Sequence, residues 1–304
     1  MYWDLIFMKQ MGRVIKKLKK MKAKRVFIQF PEGLKYRIQG ISKKIEEYGF
    51  ECVLCLEPSF GACDIRDFES ERLGCNVILH IGHSDLRIKS KVPVVYWEYF
   101  YNIDPIPILK KEMKKLNQFK RIGLITSVQF VTATEKVKDF LKNIGKEVYI
   151  HKSLKYPGQI LGCNVDAAKK IENKIDCFLY VGAGKFHPIG IAINTEKPVF
   201  SLDLEKNNLY SLETERVKWL KKKAWYDSEL EDAKKVGIIV CWKKGQEKIS
   251  EARKLKKDLE KKGGEVSILA FDDFKKEKIE GLKFDILVNL ACPRLDEELM
   301  LWKQ

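Results

Sequence analysis

The sequence predicts an α/β protein of three similar small domains, each a parallel β-sheet flanked by helices, in a pseudo-threefold arrangement around a shared centre. Three observations carry this reading. Short β-branched and apolar runs alternate with stretches of helical periodicity, which is the signature of βαβ units. The order of elements recurs: the first strands open near Val26, Ile122 and Val236, 96 and then 114 residues apart. Periods of that length suit repeated small domains rather than a solenoid. Finally, each repeat has one cysteine just past the carboxyl end of a strand: Cys63, Cys163 and Cys292. The boundaries fall at residues 1–105, 106–212 and 213–304.

The first repeat opens with an amphipathic helix through Val14, Ile15 and Leu18, followed by a buried strand at Arg25–Phe30. Pro31-Glu32-Gly33 turns the chain into a helix whose apolar face is Ile38, Ile41, Ile45 and Tyr48, ended by Gly49. Strands follow at Glu51–Leu56, Asn76–Ile81 and Val92–Trp97, with the Cys63 segment and a helix to about Leu73 between the first two. The second repeat has strands at Arg121–Thr126, Glu147–Ile150, Asp176–Val181 and Pro198–Leu202. Its helices are Glu135–Ile144, ended by Gly145, and one through Val165, Ala168 and Ile171. The charged, Trp-containing stretch Glu213–Asp227 reads as a linking helix. The third repeat then has strands at Lys235–Cys241, Glu265–Leu269 and Phe284–Leu290 and a helix at Ile249–Leu259.

With 304 residues, 45% of them hydrophobic and 11% aromatic, the chain can build proper cores, which excludes a disordered protein. No run of 18 apolar residues occurs, and Met1–Gln10 lacks the basic-then-apolar order of a signal peptide, so a cytoplasmic protein is expected, with no membrane. The net charge of +16 is spread over lysine-rich helical faces such as Lys16–Lys24 and Lys254–Lys262. No Arg- and aromatic-rich segment accompanies it, so charge alone does not call for nucleic acid.

Eight cysteines without a secretion signal argue against a disulfide framework. Cys52 and Cys55, the only C-x-x-C pair, fall in a strand where residues three apart face opposite ways, a poor chelate. Cys177 and Cys241 also read as strand residues, and Cys75 as one just before a strand. Cys63, Cys163 and Cys292 differ because active-site residues of parallel sheets collect at the carboxyl ends of strands. Pseudo-threefold packing would bring their thiolates to one point, where they repel unless a cation sits between them. A four-iron cluster held by three cysteines leaves one iron open, whereas zinc wants a fourth ligand or water. Asp64 is placed to cap the helix after Cys63. His83, just past a strand end, suits a ligand pocket better than His80, inside the strand; His151 and His187 are uncommitted. Neither a Ser–His–Asp arrangement nor a phosphate loop is present, and the C-x-x-x-C-x-x-C run of familiar radical enzymes is missing.

The strings F-P-E-G-L (Phe30–Leu34), F-G-A-C-D (Phe60–Asp64), L-G-C-N-V-I-L-H-I-G-H-S (Leu73–Ser84), G-Q-I-L-G-C-N (Gly158–Asn164) and A-C-P-R (Ala291–Arg294) occur in order. Together they resemble the archaeal 2-(3-amino-3-carboxypropyl)histidine synthases of diphthamide biosynthesis, over nearly the whole chain from about Arg25 to Leu295. The resemblance implies a homodimeric transferase whose three domains hold a central 4Fe–4S cluster through Cys63, Cys163 and Cys292. It implies S-adenosylmethionine bound at the open iron and reductive transfer of its 3-amino-3-carboxypropyl group, by a radical route, to a histidine of translation elongation factor 2. An electron donor is then a further partner, and no nucleic acid is required. For the S-adenosylmethionine site, Arg294 is matched to the ligand carboxylate, while His83, Ser84, Gly182 and Gly184 would line the nucleoside pocket because they follow matching third strands. The chain runs ten residues past Arg294, shorter than the tail expected of relatives.

Two rival readings remain at this point. A quinolinate-synthase-like condensing and dehydrating enzyme would also gather three cysteines round a 4Fe–4S cluster, but F-G-A-C-D and A-C-P-R argue against it. A zinc-stabilised RNA- or protein-binding module is motivated by the positive charge alone.

Overall fold

A computed structural model describes residues 2–300. It contains three β-sheets, with strand orders β2-β1-β3-β4, β6-β5-β7-β8-β9 and β11-β10-β12. The chain divides into two compact units: one runs to Tyr99 and includes Lys243–Gly245, and the other holds Phe100–Trp242 and the residues from Gln246 onward.

The first unit comprises α1 (Tyr2–Lys20), β1 (Arg25–Gln29), α2 (Lys35–Glu46), β2 (Glu51–Leu54), α3 (Asp67–Arg72), β3 (Val77–Ile81) and β4 (Val94–Trp97). Its four strands are all parallel. Alternation along β1 sends Val26 and Ile28 to one face, where Val14, Leu18, Ile38, Ile41 and Ile45 cover them. Phe27 points to the other face, against Ile65 and Ile78. Tyr48, expected on the apolar face of α2, lies past the helix end and is exposed. The helix stops two residues before it, and Gly49 takes the left-handed φ of +89° that turns the chain into β2. Cys55 also falls outside β2, though it is buried.

In the second unit, α4 (Ile106–Glu112), β5 (Arg121–Thr126), α5 (Val131–Asn143), β6 (Glu147–Tyr149), α6 (Asp166–Lys169), β7 (Cys177–Gly182), α7 (Phe186–Asn194), β8 (Val199–Asp203) and β9 (Asn208–Ser211) form one sheet with its helices. All pairings are parallel except β8 with β9. Then come α8 (Glu213–Asp232), β10 (Lys235–Cys241), α9 (Ile249–Glu260), β11 (Glu265–Phe271), β12 (Ile286–Asn289) and α10 (Asp296–Met300). The third sheet is wholly parallel. Sequence periodicity missed α7 and β9. The first is apolar nearly all round, and the second is a short hairpin return without a βαβ signature. No described helix is long and apolar enough to cross a membrane.

One hydrogen-bond device recurs in all three sheets. Asn76 Oδ1 accepts the backbone N–H groups of Lys24 and Arg25 at 2.9 and 3.2 Å. Asp176 Oδ2 accepts those of Lys120 and Arg121 at 3.0 and 2.7 Å, and Asp285 Oδ2 those of Lys234 and Lys235 at 2.9 and 2.8 Å. Each acceptor immediately precedes the third strand of its sheet and grips the start of the first. The backbone repeats with it: Glu51, Glu147 and Glu265 donate to the carbonyls of Lys24, Lys120 and Lys234. The same latch and the same backbone pairing thus stand at the foot of each of the three sheets.

The Asp176 latch also takes an ion pair from Arg121, whose Nε and Nη2 both donate to Oδ1, at 3.0 and 2.7 Å. The guanidinium and the two N–H groups hold the Asp176 pKa down at about 2. A depressed folded-state pKa contributes stability that is present above the ordinary aspartate range and lost as pH falls from about 4 towards 2. Asp176→Ala is expected to cost roughly 1–2 kcal/mol at neutral pH, the scale of a lost charged cap. Denaturant titration at pH 7 and pH 2.5 checks this: the gap between variant and parent should shrink at the lower pH.

Candidate functional site

Cys63 sits in a turn closed by the Asp64 N–H donating to the Gly61 carbonyl at 3.1 Å. Gln29, the buried last residue of β1, holds this turn from below. Its Nε2 donates to the Asp64 carbonyl and its Oε1 accepts the Arg66 N–H, both at 3.1 Å. Asp64 does not cap α3, whose N-cap is Arg66 with no side-chain cap bond. Its carboxylate instead faces Lys243 Nζ at 3.1 Å and Arg66 Nη2 at 3.7 Å, and all three side chains are buried. Two cations around one carboxylate offset the cost of taking it out of water. Lys244 pairs with Asp67. Burial raises the Asp67 pKa, but the bonds from Lys244 and the Lys91 N–H outweigh it and leave the carboxyl below its ordinary range. Gly245 completes the strap, its N–H donating to the Cys63 carbonyl at 2.9 Å. A Cβ on Gly245 would stand 2.6 Å from Cys63 Cα, so only glycine allows that approach.

Cys163 lies at the tip of a tight turn, with Leu161 and Asn164 exchanging both backbone hydrogen bonds at 2.9 and 3.0 Å. Upstream, Thr126 at the end of β5 pairs with Gln159, so the segment leading to Cys163 extends the sheet beyond its carboxyl edge. The turn is pressed onto α7: a Cβ at Gly162 would meet the Phe186 ring at 2.5 Å, and one at Gly190 would meet the Gly162 carbonyl at 2.6 Å. Cys163 itself is exposed.

Cys292 follows β12, where Asn289 makes a three-way clamp. Its Nδ2 donates to the Cys292 carbonyl at 2.9 Å and to Asp296 Oδ1 at 2.6 Å, and its Oδ1 accepts the Ala291 N–H at 2.9 Å. Arg294 lies 5.4 Å over the Phe186 ring. Phe186 therefore touches both the Cys163 turn and the Cys292 loop. Nothing in its local sequence marks it, which is why residue patterns missed it.

The thiols separate by environment. Cys63 and Cys292 are half-buried and Cys163 exposed, all three unbridged. Burial pushes Cys52 and Cys177 up to about 12 and raises Cys55 and Cys75. Metal ligation needs thiolate, so these four are poor ligands. Cys241 is also buried, its Sγ 3.4 Å from the Asp272 carbonyl. A soft-metal or iron–sulfur centre thus fits the donor chemistry of Cys63, Cys163 and Cys292. Cys63 belongs to the first unit and the other two to the second. Among the described residues, no three His, Cys, Asp or Glu side chains stand grouped to hold a metal ion.

The remaining candidates lie at carboxyl strand ends as well. His83 and the buried Ser84 follow β3. His80 is fully buried inside β3 with its Nε2 3.0 Å from His83 Nδ1. Gly182 ends β7 over Tyr180, whose hydroxyl would stand 2.5 Å from any Cβ placed there, and Gly184 turns the chain with φ +70°. Next to Gly184, burial first and Arg294 second lower His187 to about 4.

A sequence model of the diphthamide synthesis proteins matches residues 30–298. The chain belongs to the diphthamide synthesis family. It is 35% identical over 290 residues to the 2-(3-amino-3-carboxypropyl)histidine synthase of Pyrococcus horikoshii, covering 93% of this chain and 83% of that one. Subunit 1 of the same synthase from Kluyveromyces lactis is 29% identical, covering 94% of this chain and 69% of its own. The crystal structure of Dph2 from Pyrococcus horikoshii with a 4Fe–4S cluster superposes with a TM-score of 0.87 at 34% identity, covering 94% of this chain and 84% of that one. The diphthamide family resemblance drawn from the five sequence strings is thereby borne out, as is the α/β fold with several parallel sheets.

The packing of this family member around Cys163 gives a test. Gly190→Ala should destabilise the protein by about 1–3 kcal/mol, the usual range for overpacking, and should change the alkylation rate of Cys163 while leaving that of Cys63 unaltered. Denaturant melts and mass-resolved iodoacetamide labelling measure the two effects.

Proposed function

We propose that this chain is a 2-(3-amino-3-carboxypropyl)histidine synthase. It transfers the 3-amino-3-carboxypropyl group of S-adenosylmethionine to a histidine of translation elongation factor 2, the first step of diphthamide biosynthesis. The observation that carries the reading is the set of three unbridged, accessible thiols, each in a tight turn past a strand end, in a chain of this family. Its relative from Pyrococcus horikoshii was crystallised with a 4Fe–4S cluster.

In this reading Cys63, Cys163 and Cys292, one from each repeat (1–105, 106–212 and 213–304), hold a 4Fe–4S cluster. The bound cluster supplies one electron, from an external donor, and an open iron for the sulfonium substrate. The protein's own task is placement. The Gln29 bridge, the Gly162–Gly190 contact and the Asn289 clamp fix the three cysteine loops, and a rigid loop sets which carbon–sulfur bond of the substrate lies in line to break. Arg294, anchored over Phe186, presents a guanidinium suited to the substrate carboxylate. Ser84, Gly182, Gly184 and His83 are the residues we assign to the nucleoside pocket, each at or just past the end of the third strand of its sheet. We further propose a homodimer acting in the cytoplasm.

Anaerobic incubation with S-adenosylmethionine, dithionite and the cognate elongation factor should add the aminocarboxypropyl mass to one histidine and release methylthioadenosine. An unmodified factor in the presence of intact cluster would rule the proposal out. Iron and sulfide analysis comes first, since a colourless protein holding only zinc fits neither this synthase nor a quinolinate-synthase-like enzyme.

Cysteine substitutions give an independent check. Cys63→Ala, Cys163→Ala and Cys292→Ala are each expected to lose most of the iron, whereas Cys52→Ala and Cys55→Ala retain it. Full iron content in any of the first three means that the wrong thiol has been assigned.

A further inference from the structure

The strap Lys243–Gly245 follows β10 of the third repeat, yet it belongs to the first compact unit and closes on the Cys63 turn. Its backbone is fixed there. The Gly245 N–H donates to the Cys63 carbonyl, and a Cβ on Gly245 would stand 2.6 Å from both Cα and Cβ of Cys63. That anchorage delivers the Lys243 side chain to the turn on both sides of the cysteine. Its Nζ lies 5.6 Å from the centre of the Phe60 ring and 3.1 Å from Asp64 Oδ2. Between these two residues the thiol folds back over Gly61, where a Cβ would stand 3.2 Å from Cys63 Sγ.

The Lys243 and Asp64 side chains are each 4% exposed. A pair so deeply buried adds little to stability, because lost hydration offsets the attraction. Its charges keep their field, however, since little solvent screens them. Lys244, the next residue of the strap, pairs with Asp67 through a side chain that is 37% exposed, and its field is screened far more. The charges of this group already act on a nearby thiol. At Cys55 burial first raises the pKa and a backbone hydrogen bond from Glu57 lowers it. Arg66 and Asp64 then pull in opposite directions, the cation lowering it and the carboxylate raising it.

We propose that the buried charge of Lys243 sets the reduction potential of the cluster held by Cys63, favouring the reduced form. The inference rests on the functional reading above. The step concerned adds one electron from the external donor, with no proton taken up and no bond made or broken. Three thiolates make the site negative, so a further electron is opposed by their charge. An ammonium held against the Cys63 turn reduces that opposition. Taking it away changes the local charge by one unit, whatever else the side chain touches. The sign follows directly: loss of the Lys243 cation disfavours the reduced form, and loss of the Asp64 carboxylate favours it. At an effective dielectric near 20, a unit charge on the order of 10 Å away shifts a one-electron equilibrium roughly tenfold.

The test is a mediated redox titration of full-length, anaerobically cluster-loaded protein, with the reduced cluster read by electron paramagnetic resonance and no substrate present. At a fixed potential, Lys243→Met should lower the ratio of reduced to oxidised cluster about tenfold, a fall of about 59 mV for a one-electron couple. Lys243→Arg, which keeps the charge, should stay within about threefold of the wild type. Asp64→Asn should shift the ratio about tenfold the other way, and the double variant Lys243→Met/Asp64→Asn should return to within about threefold. Lys244→Met removes an ion pair from the same strap and should move the ratio less than about twofold. A strap that merely holds the turn predicts shifts of one sign for all the loosened variants. Shifts of the same sign in Lys243→Met and Asp64→Asn, or a fully loaded Lys243→Met that titrates with the wild type, overturn the inference. If Lys243→Met does not retain its cluster, the rise in Asp64→Asn decides alone. Wild-type protein that takes up no iron–sulfur cluster overturns the functional reading, whereas a loaded wild type whose charge variants titrate alike overturns the role of Lys243 only.

Discussion

Register at the start of each sheet is the constraint on which the candidate site depends. A parallel sheet cannot set register through a hairpin, since its strands are joined by long crossovers. Here one polar side chain at the foot of each third strand fills that role: Asn76, Asp176 and Asp285 each bind two successive N–H groups at the foot of the first strand. A slip of one residue would turn Phe27 to the face occupied by Val26 and Ile28 and expose the packing of both sides. It would also displace the opposite ends of the strands, where Gln29 and Thr126 anchor the cysteine-bearing loops. The latches at one edge thus govern the geometry of the other.

Beyond the strand ends, the loops are held by backbone more than by side chains. Gly245 donates to the Cys63 carbonyl, Leu161 and Asn164 close the Cys163 turn, and Asn289 reads two backbone groups around Cys292. Each device places a cysteine without using its sulfur. The close approaches at Gly162, Gly190 and Gly245 leave no room for a Cβ. These glycines are explained by contact rather than by φ, since none of the three has a left-handed backbone.

Much of this was legible in the sequence. Arg25–Gln29, Arg121–Thr126 and Lys235–Cys241 were found almost to the residue because each is a buried apolar run between clear breakers. Gly49 and Gly145 marked helix ends correctly, both with positive φ. Other features were hidden for identifiable reasons. Glycine 190 sits inside α7, where only a three-dimensional contact with Gly162 gives it meaning. Lys243–Gly245 lies some 180 residues from Cys63 and looks like an ordinary charged turn. Asp64 has the residue type and the position of a helix cap, yet two buried cations compete for its carboxylate and win. Propensity describes what a residue does next to its neighbours in sequence, and each of these is decided by a neighbour far along the chain.

The division among the cysteines shows how burial can assign chemistry that residue identity cannot. All eight are unbridged, so covalent state does not separate them. A thiol inside a sheet behaves as a small hydrophobe, and ionising it there would strand a charge in a medium that solvates it poorly. The raised pKa values of Cys52, Cys55, Cys75 and Cys177 express that cost. The same physics pushes the His80 pKa well below its ordinary value in the first sheet and holds His187 down at about 4 beside Arg294. Groups that must change charge or bind a cation therefore have to stand past the strand ends. In this chain Cys63, Cys163 and Cys292 stand there, and His83, hydrogen-bonded to the buried His80, follows the end of β3.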